Sequence, residues 1–293
     1  MKERNVGAIF LSPTILALCL VILLPILFSV SMAFFQFDLL RVGRGNPFVG
    51  IGHFVTSINN KLFWNALGNT FLWTAANVIL QLLTGLLFAL ILNRKIRFKV
   101  VYYVLILIPW ATPSAVAALI WRWMLHAELG IINAVLIRLH ILTDPNPWLS
   151  IPGWAMVWVV IARVWKEYAF CTVIMTAALQ GIPASLYEAA MVDGAGSVTR
   201  FFRITLPWLK PSILIATVLV AIGSFNGFNM IWMMTKGGPV RTTEIISTFI
   251  YQTGFERYQM GRASAQSLVM VLILAFMIIT YIKRMKSEEE PFR

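Results

Sequence analysis

The sequence predicts an all-α, polytopic membrane protein with six transmembrane helices, and two observations carry that reading. The first is composition. Of 293 residues, 59% are apolar or aromatic and 12% are charged, with a mean hydropathy of +0.79. A soluble domain carries about 25% charged residues, so this chain cannot cover a globule of its size with solvated surface. The second is distribution. Six apolar runs, Ile9–Phe35, Thr70–Leu92, Val100–Met124, Trp154–Leu179, Ile213–Met234 and Ser267–Ile282, approach or exceed the roughly 20 residues that cross a bilayer core. Unpaired amides are not tolerated in lipid, so these runs must be helices. Alternating strand segments of a membrane barrel are absent from the sequence.

Taken in order, the first run is too long for a signal-peptide core, and Phe34-Phe35-Gln36-Phe37 offers no cleavage site, so it stays as a span, with kinks expected at Pro13 and Pro25. The sixth extends back through Ala263. The expected division is 1–65 (first span and first extracytoplasmic loop), 66–285 (transmembrane domain with a cytoplasmic loop at 181–211) and 286–293 (cytoplasmic tail, with a solvated Glu288–Glu290 run). Cys19 and Cys171 both fall inside apolar runs and read as small core residues rather than a disulfide.

Charge orients the chain. Lys2, Arg4, Arg94, Lys95, Arg97, Lys99, Arg200, Arg203, Lys210, Lys283, Arg284, Lys286 and Arg293 share one side of a six-span topology. Arg41, Arg44, Lys61, Arg138, Lys236, Arg241, Arg257 and Arg262 share the other. The short basic loop Asn93–Lys99 dominates, which places both termini in the cytoplasm. The formal net charge of +12 is therefore assigned to membrane flanks and not to nucleic acid. Nothing points to catalysis or a cofactor. There is no phosphate-binding G-x-x-x-x-G-K-[ST], no H-E-x-x-H and no G-x-S-x-G, and His53, His126 and His140 are too scattered to hold a metal.

The cytoplasmic loop carries the functional argument. Ser185 and Glu188 are spaced as a capping box, predicting a helix from Ser185 that Gly194 ends in a left-handed conformation. About two turns long, it cannot be stable alone in water. A second short helix is expected over Ser197–Ile204, with Pro207 and Pro211 opening the fifth span. The string fits E-A-A-x3-G-x9-I-x-L-P without a gap from Glu188 to Pro207. This resembles the EAA loop of the membrane subunits of binding-protein-dependent ABC importers. The strings FVGIGHFV (with His53 where Asn is usual), FWNALGNTF, GIINAVL and MTKGGP are similar to the maltose-permease-like sugar branch.

The resemblance implies a mechanism. The loop would form a coupling helix seated in a groove of an ATP-binding subunit, with Glu188, Ala189, Ala190, Asp193 and Gly194 as the docking set. It also implies a second homologous permease subunit, two ATP-binding subunits and an extracytoplasmic sugar-binding protein, with the chain embedded in lipid of the bacterial inner membrane.

Arg163, Lys166 and Glu167 lie midway along the fourth run, where each charge costs about 2.5–3.5 kcal/mol on lenient scales, so they cannot face lipid. Arg163 and Glu167 are spaced i and i+4 and can pair on one helix face. A structural ion pair and a water-filled pathway both satisfy this. By register with the resembling family, Arg163, Glu167 and Phe170 fall at sugar-site positions, with Ala169 where the pattern has Pro, and Ser224 falls at another. Asn226, Gly227 and Asn229 complete the polar set in the fifth run, the two asparagines expected to face the interior. The alternatives for function are a permease for an anionic or other non-sugar substrate, such as a glycerol phosphate or an amino acid, an ion-coupled secondary transporter with Arg163 and Glu167 as a relay, and a non-transporting scaffold.

Overall fold

The computed structural model describes residues 3–40, 45–94 and 96–289, with side chains over 10–40, 45–94 and 96–283. Lys2, Arg41, Arg44, Lys95, Glu290 and Arg293 lie outside the described residues, as do the side chains of Arg4, Arg284, Lys286 and Glu288. Among the described residues the fold is helical, with one isolated antiparallel bridge between Phe35 and Phe48. Four helical segments are long and apolar enough to cross a membrane, and six spans result when each of two bent helix pairs counts as one.

The chain divides into two compact units. The first comprises residues 1–64 and 249–277. Its leading helix runs as α1 (Glu3–Leu18), a π turn (Cys19–Leu23) and α2 (Leu24–Met32). The π turn, closed by the Leu24 N–H on Cys19 O, sits immediately before Pro25. Proline has no N–H to give, and its ring crowds the carbonyl four residues back. The wider turn keeps the helix going without a break. Cys19 is exposed here and not a core residue; no side chain from Phe10 to Phe28 is buried by the protein, so this span offers its surface to lipid or a neighbour. In α3 (Gly52–Ile58), the His53 ring Nε2 lies 3.1 Å from Phe35 O, so the imidazole makes the main-chain contact an Asn amide could make there.

The second unit comprises residues 65–248 and 278–293. Helix α4 (Lys61–Leu92) enters it nine residues before the expected Thr70. Asn65 and Asn69 had lowered the local hydropathy, but their amides are satisfied by protein: Asn65 Nδ2 donates to Arg241 O at 3.3 Å, and Asn69 Nδ2 to Arg241 O at 3.1 Å and Glu244 O at 3.0 Å.

The third run is not one helix. It breaks into α5 (Lys99–Ala111) and α6 (Ser114–Met124), bent by 94°. Thr112 precedes Pro113 and is extended at φ −70°, ψ 132°, the conformation a following proline imposes. After α7 (Ile131–Arg138), the fourth run is one continuous helix, α8 (Trp154–Gln180), with Ala169 fully buried against Leu92 and Ile106. The cytoplasmic segment follows as α9 (Ala184–Val192) and α10 (Ser197–Arg200).

The second short helix does not stand alone. From α10 a π turn (Phe201–Thr205) leads straight into α11 (Leu206–Phe225), making one helical segment Ser197–Phe225. Leu206 N–H closes this π turn on Phe201 O and Pro207 follows, the same device as at Pro25. The fifth span therefore starts well before Ile213, and it ends at Phe225. Asn226 and Gly227 break it before α12 (Phe228–Thr235), so the expected run to Met234 is two helices. Helix α13 (Ile246–Tyr251) leads to α14 (Met260–Glu289), which runs through the expected boundary at 285/286.

Candidate functional site

The first site is the α9 segment. It starts at Ala184, beside the expected Ser185, but the cap differs: Pro183, extended at ψ 133°, is the N-cap, and no side-chain capping bond forms. Ser185 already lies inside the helix. The proline's fixed φ ends the connector one residue earlier, and its carbonyl takes the Leu186 N–H at 3.2 Å. The end is as expected. Gly194 has φ +77°, Ala195 N–H reaches Ala190 O at 2.8 Å and Gly194 N–H reaches Met191 O at 3.1 Å, the paired bonds of a Schellman cap.

No residue of α9 is buried. Glu188, Ala189, Asp193 and Gly194 are exposed and Ala190 is half-buried. The chain supplies part of the stability that so short a helix lacks: Tyr187 Oη lies 2.9 Å from Thr205 Oγ1, and its ring packs on the cluster of Leu179, Ile182 and Leu209. Around the docking set lie large exposed apolar side chains that sequence reasoning did not single out, Val192 (89% exposed), Val198 (70%) and Phe202 (60%). A concavity of about 490 Å³ opens beside them, lined by Ala190, Asp193, Gly194, Arg200 and Arg203 among others. Apolar groups grouped on the surface of a polar-ended hairpin mark an interaction face.

The second site is where α8 crosses the end of α11. Arg163 and Glu167, which their spacing allows to pair, make no direct bond with each other. Glu167 Oε1 takes Lys166 Nζ at 2.9 Å, and Arg163 Nη2 reaches across to Gly223 O at 3.1 Å. The adjacent residue and a carbonyl on another helix outcompete the i+4 partner. Phe170 packs with Cys171, Ala216 and Val220 along the same crossing. Lys166 is buried, and Arg163, Glu167 and Phe170 are half-buried.

The break after α11 places the remaining residues unequally. Ser224 is fully buried, and its carbonyl accepts Trp73 Nε1 at 2.9 Å and Gly227 N–H at 2.9 Å. Gly227 is buried because a Cβ there would lie 2.9 Å from Trp73 Nε1 and 2.8 Å from Ser224 O. Asn226 and Asn229 are exposed on this chain and do not face its interior; Asn226 Nδ2 turns back to Ile222 O at 3.1 Å. The structure thus brings Arg163, Ser224 and Gly227 to one break, with Lys166, Glu167 and Phe170 further along α8. Trp73 was missed, because nothing in the sequence ties it to a residue 151 positions away. Trp148, buried, and Trp121, half-buried against it, join a tryptophan cluster, with Trp148–Trp158 centroids 5.4 Å apart and Trp121–Trp165 5.8 Å.

Comparison with known proteins gives the family. The sulfoquinovosyl glycerol transport system permease protein SmoG of Agrobacterium fabrum is 34% identical over 99% of this chain and 93% of its own length. The trehalose/maltose transport system permease protein MalF of Thermococcus litoralis is 34% identical over 96% and 94%. A chain of a bacterial alginate ABC transporter, solved with an alginate pentasaccharide-bound periplasmic protein, superposes with a TM-score of 0.81 at 25% identity, over 96% of this chain and 93% of that one. Residues 81–284 match the family described as the binding-protein-dependent transport system inner membrane component, and the chain belongs to that family of ABC importer permeases.

Proposed function

We propose that this chain is one of two homologous permease subunits of an importer that carries a sugar across the inner membrane, with ATP hydrolysed by two separate ATP-binding subunits. The exposed, Schellman-capped helix α9 is the observation that carries this reading. It is a rigid lever that buries none of its own residues and is ringed by apolar side chains. Both termini lie in the cytoplasm, and the extracytoplasmic loops meet a sugar-binding protein. Sugar as cargo is supported by relatives named for sulfoquinovosyl glycerol and trehalose/maltose.

The geometry supports the following working parts. Closure of the ATPase dimer pushes α9, which moves α11 through the Tyr187–Thr205 contact and the unbroken helix from Ser197 to Phe225. That displacement arrives at the break beside Arg163, where the cargo pathway lies. A two-state device of this kind needs contacts that differ between its states. Cysteine placed at Val192 should crosslink to the ATP-binding subunit in the assembled transporter, in yields that change with bound nucleotide. Uptake into proteoliposomes should require ATP; uptake that survives its removal would sink the reading.

One observation favours an anionic sugar over a neutral one. Lys166 pairs with Glu167 and Arg163 donates to the Gly223 carbonyl, so two cations and one carboxylate leave the crossing net positive. A competition panel of neutral and acidic sugars against uptake distinguishes the two.

A further inference from the structure

A cavity of about 170 Å³ lies within the first unit, where the head of α14 meets α3 and the segment after α2. Gln36, Asp38, His53, Thr56, Gln259 and Arg262 line it. Much of this wall is satisfied by the chain itself. His53 Nε2 lies 3.1 Å from Phe35 O, Thr56 Oγ1 donates to Gly52 O at 2.7 Å, and Asp38 Oδ1 accepts the Leu40 N–H at 3.1 Å. Asp38 is engaged elsewhere as well. Arg262 is different. It is half-buried, its Nε is shut away from solvent, and among the described residues its guanidinium has no hydrogen-bond or ion-pair partner. The Gln36 and Gln259 amides on the same wall make no side-chain hydrogen bond among those residues either.

The helix does not account for that cation. Arg262 is the third residue of α14, and the positive end of a helix dipole disfavours a cation in its first turn. Arg257 adds a second positive charge close enough to repel it. A shielded charged donor without a partner is destabilising, and an oxyanion in the cavity would relieve it. The walls are fixed before any guest arrives. Gln36 N–H bonds to Pro47 O at 2.9 Å, and Leu39 N–H to Tyr258 O, Gln259 N–H to Thr253 O and Gly261 N–H to Phe37 O, each at 3.0 Å. At Gly261 a Cβ would run into Phe35 O, so the head of α14 sits tight against the end of α2. Preorganised walls lower the ordering cost of binding.

A guanidinium fork matches phosphate or carboxylate oxygens. Position selects phosphate. The apolar stretch of α14 starts at Met260, so the cavity lies where that span meets the headgroup layer. Leu40, Phe255 and Tyr258, close to it in the chain, are exposed, as aromatic and apolar residues at a bilayer interface are. The Asp38 charge on the wall disfavours a doubly charged monoester and tolerates a singly charged diester. We propose that this cavity is a site for a phosphodiester, filled by the headgroup of a membrane phospholipid. The inference needs only that α14 crosses the bilayer, and it is independent of the cargo.

The test uses the purified, assembled transporter, delipidated in detergent and titrated with dioleoylphosphatidylglycerol. Native mass spectrometry counts the lipids held, and a melting curve reads protection. Arg262→Gln should weaken the tightest lipid site about tenfold, and Arg262→Lys should keep part of the affinity. Without lipid, Arg262→Gln should melt no lower than wild type, because the charge it removes has no partner. With lipid, the wild type should rise and the variant should lag behind it. Dioleoylphosphatidylcholine, which carries the same diester, should also protect the wild type. Equal lipid binding by wild type and Arg262→Gln would overturn the site. So would a variant that melts lower by the same amount with and without lipid, since Arg262 would then serve packing alone. Millimolar inorganic phosphate should neither displace the lipid nor raise the midpoint. If it does both, the free ion is the occupant and the lipid assignment falls.

Discussion

Trp73 on α4 donates its indole N–H to the main-chain oxygen of Ser224 at 2.9 Å, tying the second span to the last turn of the fifth just before the helix breaks. Gly227, two residues past the end of α11, passes so close to the same indole that it has no room for a side chain. The break is thus held from outside by a hydrogen bond and from within by a missing methyl group. Gly227→Ala should lower the unfolding midpoint in detergent and reduce uptake, because the atoms it meets are backbone and a packed ring that cannot swing away. Trp73→Phe keeps an aromatic ring, loses one bond at a cost of about 1 kcal/mol and leaves a small cavity where the rest of the buried indole lay. A thermal-shift comparison checks the ranking, with Gly227→Ala the more damaging.

At Gly194 the argument concerns backbone and not space. A Cβ there would meet nothing within 4 Å, yet φ is +77°. The left-handed conformation costs an ordinary residue about 1–2 kcal/mol, more for a branched one, and asparagine tolerates it best after glycine. Gly194→Val should insert in the membrane normally but abolish uptake, with Gly194→Asn intermediate. Membrane fractionation and transport assays separate insertion from coupling. Wild-type import by Gly194→Val would refute the assignment of α9 as the lever.

Lys166 and Glu167 make an unequal pair, with side chains 7% and 21% exposed. Removing one partner of a buried pair strands the other, at about 3–5 kcal/mol, whereas removing both can be nearly neutral. Glu167→Gln should therefore destabilise more than Lys166→Met, because it leaves the more deeply buried charge alone. The double variant should recover most of the loss, a pattern read directly from a double-mutant cycle of detergent melting.

How far this could be read beforehand depends on what kind of information a residue carries. Apolar run length located α8 to within a residue of its end, and a glycine three residues past a run of helix formers located the end of α9. Run length failed at Thr112–Pro113 and Asn226–Gly227, because hydropathy reports avoidance of water and not direction. Both breaks are nevertheless written locally, as a residue before proline and an Asn-Gly step. The capping box at Ser185 failed because Pro183 ended the connector first. The i,i+4 rule showed that Arg163 and Glu167 could meet, but the choice of Lys166 and of Gly223 O depends on proximity and on a second helix. The roles of Trp73 and Tyr187 were invisible for the same reason, their partners being supplied by the folded chain.

Asn133 offers the sharpest test of a single side chain holding a loop. It is 2% exposed, and its three donor and two acceptor contacts knit together His126, Ala127, Asn146 and Trp148. Gly130 completes the turn: a side chain there would run into the His126 and Met124 carbonyls. Asn133→Ala leaves the buried Trp148 indole, the Asn146 N–H and the Ala127 carbonyl without these partners, each worth about 1–3 kcal/mol, while the Asn146 carbonyl keeps the Trp148 main-chain N–H. Asn133→Asp keeps the acceptors for Trp148 Nε1 and the Asn146 N–H but sets a carboxylate against the Ala127 and Asn146 carbonyls. It repels where the amide donated, so it should rescue little. Asn133→Leu, of similar volume and without polar atoms, should be no better than alanine if hydrogen bonding dominates. Recovery of the melting temperature by leucine would mean that the loop is held by packing instead.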